Sequence, residues 1–291
     1  MSIHGILGEQ TIDYPTQYSP ETLYPIARSL GRDAIGWQDD KLAVGVDWWQ
    51  AFEMSWLNKQ GVSQVAIARF GIPASSPFIV ESKSLKLYLN SLNFTEFASW
   101  DDVQALIAKD LSACVQAQVT VELFRFRLDD ETSGLHIAQP DGVCIDDALV
   151  NSSEKVTLCA HPDASLLRDE AEARGESVIS DGTQPYRFYS NLLRSNCPVT
   201  NQPDWGTLAV SITTEQPIHT ANMLRYILSF RQHNGFHEQC VEQIFADLSQ
   251  HYQPRALMVR AWYTRRGGID INPCRVSDMS LLPTPSRLIR Q

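Results

Sequence analysis

From Phe78 to Asn93 the apolar positions recur every second residue. Leu85, Leu87 and Leu89 alternate with Lys86, Tyr88 and Asn90, a period that predicts an extended strand. At its head the period gives way to Glu81-Ser82-Lys83-Ser84. A carboxylate, an ammonium and two hydroxyls contribute little to packing there, so they mark either a solvated strand start or the edge of an opening. Trp56 to Ile72 reads as a further extended stretch. Ser99 then opens a helix through an S-x-x-D capping box with Asp102, and Val103, Leu106, Ile107, Leu111 and Cys114 form one apolar face at helical spacing. Val119 to Leu128 follows as a strand, with a phase change between Leu123 and Phe124 that predicts a bulge.

The segment from Asp129 to Pro185 is rich in Asp, Glu, Ser and Gly, with acidic residues at Asp169, Glu170 and Glu172. It reads as a junction, with some strand at Val156 to Cys159. The order then repeats. Tyr186 to Leu193 is a strand, and Leu208, Val210 and Ile212 alternate in the next. Thr220 caps a helix running to about His233, where Asn234-Gly235 carries a left-handed stop signal. A second helix begins near His237 and buries Cys240, Val241, Ile244, Phe245 and Leu248. Ala256 to Arg265 is the last long strand, ending at Gly267-Gly268. Strands, a helix pair and strands, twice over, describe two related α+β units, placed at residues 1–165 and 166–291, although identity between the halves is faint.

A chain of 291 residues has room for two such cores. It holds no run of roughly 18 apolar residues, and Met1-Ser2-Ile3-His4 lacks a basic-then-apolar leader, so no membrane and a cytoplasmic location are expected. The formal charge of −10 argues against direct nucleic-acid binding, which needs clustered cations, but leaves room for a small anion held by two or three of them. Cys114, Cys144, Cys159, Cys197, Cys240 and Cys274 include no C-x-x-C pair and read as reduced thiols, most of them small core residues.

Three further clusters carry candidate chemistry. Cys197 precedes Pro198 just beyond a strand, so its thiol sits at a turn, and Asp204 lies seven residues on. A thiolate is a nucleophile and a nearby acid or base manages its proton. Phe236-His237-Glu238 opens a helix, where a carboxylate is favoured and histidine can carry protons. Arg265-Arg266-Gly267-Gly268 sets two guanidiniums beside bare backbone, which suits a phosphate. There is no Walker or G-x-G-x-x-G pattern, and Cys197 with His237 lacks a third metal ligand, so no metal is expected.

Together these clusters resemble the NADPH-dependent 7-cyano-7-deazaguanine reductases, the nitrile reductases of queuosine biosynthesis. Their signature is matched by Glu81 to Tyr88, the loop cysteine and aspartate by Cys197 and Asp204, the F-H-E triplet by Phe236, His237 and Glu238, and the R-R-G-G-x-D-I-N-P stretch by Arg265 to Pro273. The order of motifs is similar to the two-module branch. The resemblance implies tandem tunnelling-fold modules, each an antiparallel sheet with two helices on one face, and a homodimer. It also implies a catalytic set of Cys197, Asp204 and His237, with Cys197 forming a thioimide on the nitrile. Glu81, Ser82, Lys83, Phe236, His237 and Glu238 are the implied substrate contacts. Lys83, Ser84, Arg266 and Gly267 are the implied contacts for NADPH, and no metal is used. Two other classes fit parts of the pattern. A thiol hydrolase of a nitrile or purine-like substrate needs the thiol without NADPH, and a purine-binding module needs neither.

Overall fold

The computed structural model describes residues 14–126, 135, 137–152, 155–168, 177–178 and 183–291. A short helix α1 (Ser29–Ile35) precedes the long strand β1 (Gly45–Asn58), which turns into β2 (Ser63–Pro73). The turn interrupts the stretch expected to be extended from Trp56 to Ile72. The Asn58 side chain accepts from Gln60 N and Val62 N, and Gly61 adopts a φ of 73°. Helices α2 (Ser82–Ser91) and α3 (Trp100–Val115) follow, then strand β3 (Thr120–Phe124). The second half supplies β4 (Tyr186–Asn196), β5 (Pro203–Thr213), α4 (Thr220–Ser229), α5 (His237–Tyr252), β6 (Ala256–Tyr263) and β7 (Ile269–Val276).

The largest correction concerns the signature. Glu81 to Tyr88 is not a strand: after a three-residue strand at Phe78–Val80, the chain enters α2 with Glu81 as its N-cap. Leu85, Tyr88, Leu89 and Leu92 recur at helical spacing and are buried. Leu87 is buried as well, because the helix is covered on several sides, and that extra apolar position completed a false period of two. Glutamate is also an uncommon N-cap, so the start signal was easily missed.

Other local expectations change in the same way. Ser99 does cap α3, accepting from Asp102 N, and Val103, Ile107 and Leu111 are buried on its core face. Each such aliphatic side chain contributes roughly 1.5–3 kcal/mol. Strand β3 pairs with β2 in unbroken register from Thr120 to Phe124, so no bulge occurs at Leu123 and Phe124, and Leu128 lies outside the described residues. Val156 to Cys159 is not a strand. Asp169, Glu170 and Glu172 also lie outside the described residues. Helix α4 stops at Ser229 and continues as a 3₁₀ turn to Gln232. Neither Asn234 nor Gly235 takes a positive φ, and Asn234 instead bridges to Asn196. Ala256–Tyr263 is not the last long strand, because β7 follows it. Of the six thiols only Cys240 and Cys274 are buried.

The strands run β3-β2-β1-β7-β6-β5-β4, each antiparallel to its neighbours, within one nine-stranded sheet. Strand β7 lies between β6 and β1, pairing Ile269 with Ala51 and Arg275 with Gly45, so the two halves share one sheet. Helices α2 and α3 pack with β1 and β2 in one apolar core, and α4 and α5 with β4, β5 and β6 in another.

The halves also share details. The first strand of each carries one extra residue, between Ala51 and Met54 in β1 and between Ser190 and Leu193 in β4. In each helix pair a tyrosine of the first helix donates to an aspartate of the second: Tyr88 to Asp110 at 2.7 Å and Tyr226 to Asp247 at 2.6 Å. Three residues after each tyrosine a serine returns a hydrogen bond to its carbonyl, Ser91 to Tyr88 and Ser229 to Tyr226, both at 2.6 Å. These matched contacts bring out a repeat that overall identity hides. The chain is α+β, two sheet-and-helix-pair units in tandem.

Candidate active site

The motif residues converge at the seam between the halves, where a cavity of about 250 Å³ opens between the N-termini of α2 and α5. Trp49 of β1 and Ile269 and Ile271 of β7 give it an apolar floor. A purely local geometry builds its nucleophile wall. In the β4–β5 hairpin Ser195 lies opposite Asp204, and Cys197 N donates to Gln202 O at 2.9 Å. Because strand faces alternate, Ser195, Cys197, Gln202 and Asp204 share one face. Cys197 and Asp204 are then diagonal neighbours, whose α-carbons in such a ladder lie about 7–8 Å apart. The seven-residue spacing thus has a physical origin: it straddles a tight connection and returns to the same face.

The end of β4 also fixes the entrance to α5. Asn196 N donates to His233 O at 2.8 Å, and Gly235 N donates to Asn196 O at 3.1 Å. These two bonds bring Phe236-His237-Glu238 to Cys197. Phe236 N donates to Gln239 Oε1 at 3.1 Å, closing the first turn of α5. The His237 ring stacks on Tyr263, centroids 3.8 Å apart and planes 7° from parallel, and its Nε2 lies 3.3 Å from Asp204 Oδ2. The other carboxyl oxygen of Asp204 accepts from Arg266 Nη1 at 2.7 Å. Burial of Asp204 favours its neutral form, but His237 and then Arg266 outweigh this and hold the carboxyl below its ordinary range. Asp204 is therefore a carboxylate at neutral pH.

Two more carboxyls reach the cavity from opposite halves. Glu81 accepts from Lys83 N at 3.0 Å and Ser84 N at 2.7 Å, and burial still raises its pKa. Glu238 is 2% exposed, and its Oε1 has no hydrogen-bond partner among the described residues. Burial, reinforced by the negative charge of Asp47, pushes Glu238 up to about 7. One buried carboxyl is charged and another titrates at about 7, an arrangement that supports both proton transfer and recognition of N–H groups.

Of the residues singled out in the sequence, Cys197, Asp204, His237, Glu81, Ser82, Lys83, Phe236, Glu238, Arg266 and Gly267 all line this cavity. Ser84 does not. It faces inward on α2, donating to Glu81 O at 2.7 Å and accepting from Tyr24 N at 3.0 Å, so its hydroxyl serves the fold and is withdrawn from any phosphate. Sequence reasoning passed over Trp49, Lys86, Pro198, Thr200 and Thr264, which also line the cavity. Lys86 stood inside the signature itself; its ammonium meets Glu53 at 3.1 Å and Gly267 O at 2.6 Å. Trp49 gave no signal, since a buried aromatic in a strand is ordinarily core. Its indole Nε1 has no partner among the described residues.

Comparison with known proteins identifies the family. The family described as "Nitrile reductase, 7-cyano-7-deazaguanine-reductase N-term" matches residues 14–123, and the "QueF-like protein" family matches residues 203–280. An NADPH-dependent 7-cyano-7-deazaguanine reductase of Psychrobacter cryohalolentis is 79% identical over 292 residues, covering 100% of both chains. The chain belongs to this reductase family. A second member, from Acinetobacter baylyi, is 50% identical and covers 99% of this chain and 98% of its own. The structure of an apo archaeosine synthase QueF-Like matches 32% of this chain and 89% of its own at 13% identity, with a TM-score of 0.28, too slight a likeness to carry weight. Among the described residues of this member of the reductase family, no helix is long and apolar enough to cross a membrane.

Proposed function

We propose that this chain reduces the nitrile of 7-cyano-7-deazaguanine to the aminomethyl group, using NADPH, in queuosine (tRNA-modification) biosynthesis. Family membership makes it an NADPH-dependent oxidoreductase of the nitrile reductase class. The observation that carries the residue roles is the meeting of Cys197, ionised Asp204 and Glu238, whose carboxyl burial pushes up to about 7, in one small cavity. At about 250 Å³ it lies near the lower end of small-molecule sites and suits a bicyclic base.

In this reading Asp204 takes the proton of the Cys197 thiol, and the thiolate adds to the electrophilic nitrile carbon. The carbon–nitrogen triple bond becomes double, and Asp204 returns the same proton to nitrogen, leaving a thioimide on Cys197. His237, held flat on Tyr263 with Nε2 toward Asp204, relays the later protons. Glu81 and Glu238 accept from the N–H groups of the base. The indole N–H of Trp49 is the donor suited to its carbonyl. Phe236 closes the pocket, and the apolar floor excludes water that would hydrolyse an imine.

The cation set fits the phosphates of NADPH. Lys83, Lys86 and Arg266 line the cavity beside Gly267, whose φ is +59° and where an added Cβ would come within 3.2 Å of the Lys86 side chain. Bound there, each of two successive NADPH molecules would supply one hydride. Lys83, Lys86, Arg266 and the Gly267 backbone would hold it, without help from Ser84. The reading includes two modules, residues 1–165 and 166–291, with the cavity between them. It also includes a homodimer, supported by the likeness to the two-module branch, and a cytoplasmic location, supported by six free thiols.

The test is nicotinamide absorbance with 7-cyano-7-deazaguanine and NADPH. About two NADPH consumed per amine formed, abolished in Cys197→Ala, is expected by the stoichiometry of a four-electron reduction. Hydrolysis of the nitrile without NADPH consumption would return the assignment to a thiol hydrolase.

A further inference from the structure

Behind the cavity lies a buried ionic cluster that the chemistry above does not use. Asp47 of β1 accepts from Arg28 Nη2 and Arg275 Nη1, both at 2.6 Å. Glu242 of α5 accepts from Arg275 Nη2 at 2.7 Å and Arg32 Nη2 at 2.9 Å, with Arg28 Nη1 at 3.7 Å. None of the five side chains is more than 7% exposed. Glu238 stands one turn before Glu242 on the same helix, both of them buried, so the two carboxyls are neighbours. Yet the three guanidiniums are bound to Glu242 and Asp47, and among the described residues Glu238 forms no ion pair. The outer nitrogen Arg28 Nη1 has no hydrogen-bond partner among the described residues, and neither does Glu238 Oε1.

The cluster has a second consequence for Glu238. It fixes Asp47, a permanent negative charge, beside a carboxyl that is already desolvated. The groups acting on Glu238 are Asp47 from β1, Arg28 from the turn before α1, and His237 on its own helix, with the Cys240 thiol nearby. Burial and Asp47 favour the protonated form, and His237 and Arg28 offset them only in part.

We infer that the Arg28–Asp47–Arg275–Glu242 cluster is a positioning device that keeps its guanidiniums out of ion pairs with Glu238, so that at neutral pH the carboxyl becomes fully charged only when a ligand brings adjacent N–H donors to it. Binding of such a ligand then expels up to one proton, the fraction set by pH, and Asp47 and Arg28 govern that proton release without touching the base. A base whose edge carries only acceptors takes a hydrogen bond from the protonated carboxyl instead and releases no proton. This rests on the reading of Glu238 as a contact to the N–H groups of the base.

The test is calorimetric titration of the intact enzyme with 7-cyano-7-deazaguanine in phosphate and in Tris, whose ionisation heats differ, across pH 6 to 8. With the carboxyl titrating at about 7, roughly 0.9 proton is released at pH 6 and roughly 0.1 at pH 8. Affinity falls about tenfold per pH unit below 7. Asp47→Asn removes the negative neighbour, so Glu238 is already charged in the free enzyme and less proton is released at pH 7. Arg28→Gln removes the offsetting cation, so more is released at pH 7. Opposite displacements cannot come from a general loosening of the fold, and Glu238→Gln releases none. Binding without proton release, displacement of both variants in one direction, or release that persists in Glu238→Gln overturns the inference while leaving the reductase reading intact. Absence of binding removes both.

Discussion

Replacing Glu238 by glutamine is expected to remove activity and increase stability, and the pH dependence of the gain identifies its cause. The folded carboxyl keeps its proton to about pH 7, whereas in the unfolded chain it titrates near 4.5. Between these values the unfolded state binds fewer protons than the folded state, so stability falls as pH rises through the window. At 1.36 kcal/mol per pH unit, the cost of retaining Glu238 is ~1 kcal/mol at pH 5 and ~3 kcal/mol at pH 8. Its side chain is buried, so solvent screens little of this. Glutamine keeps a polar group in the same place and forfeits part of the gain, leaving ~1–2 kcal/mol at pH 8. For a chain of this size that is a rise in Tm of roughly 2–3 °C. Thermal unfolding followed by circular dichroism at pH 5 and pH 8 measures it. A Tm difference equal at both pH values, or a loss at pH 8, would refute the idea that a forced charge at Glu238 weakens the fold.

Four other outcomes follow from the same contacts. Glu242→Gln, which strips a buried partner from Arg275 and Arg32, should cost about 3–5 kcal/mol in denaturant unfolding. Arg266→Gln should raise the Asp204 carboxyl and move the acidic limb of the kcat/KM profile to higher pH, while leaving Tm nearly unchanged, because Arg266 is partly exposed. Tyr88→Phe and Tyr226→Phe should destabilise by about 1–2 kcal/mol each, since each takes a hydroxyl donor from a largely buried aspartate, leaving Asp110 to Tyr18 and Asp247 to Gln243. Trp49→Phe should weaken 7-cyano-7-deazaguanine binding by about 1 kcal/mol, read as a fivefold or larger rise in Kd, if the indole N–H meets the carbonyl of the base.

How much of this molecule was legible before its structure depended on whether the signal was local. Helix α3 was plain from Ser99, Asp102 and an apolar face at helical spacing, and α5 from its buried run between Cys240 and Leu248. The α+β order and the tandem arrangement could also be read, because strand and helix periods are properties of short stretches. The placing of Cys197 and Asp204 as diagonal neighbours on one face was implicit in the spacing, since a seven-residue separation across a tight connection returns the chain to that face.

Where tertiary surroundings override a local period, sequence reading failed. Helix α2 looked like a strand because its burial on more than one side placed apolar residues at both two- and four-residue intervals. The place of β7 in the middle of the sheet rests on pairing with β1, some 220 residues away, and nothing in Ile269–Val276 announces that partner. Sequence alone identified the catalytic candidates through their motifs, but not their states. That Asp204 is charged and Glu238 only partly so depends on where Arg266, His237, Asp47 and Arg28 stand in space. Coulomb and desolvation energies follow distance and burial, which are properties of the folded chain, whereas periodicity and spacing are properties of the chain itself.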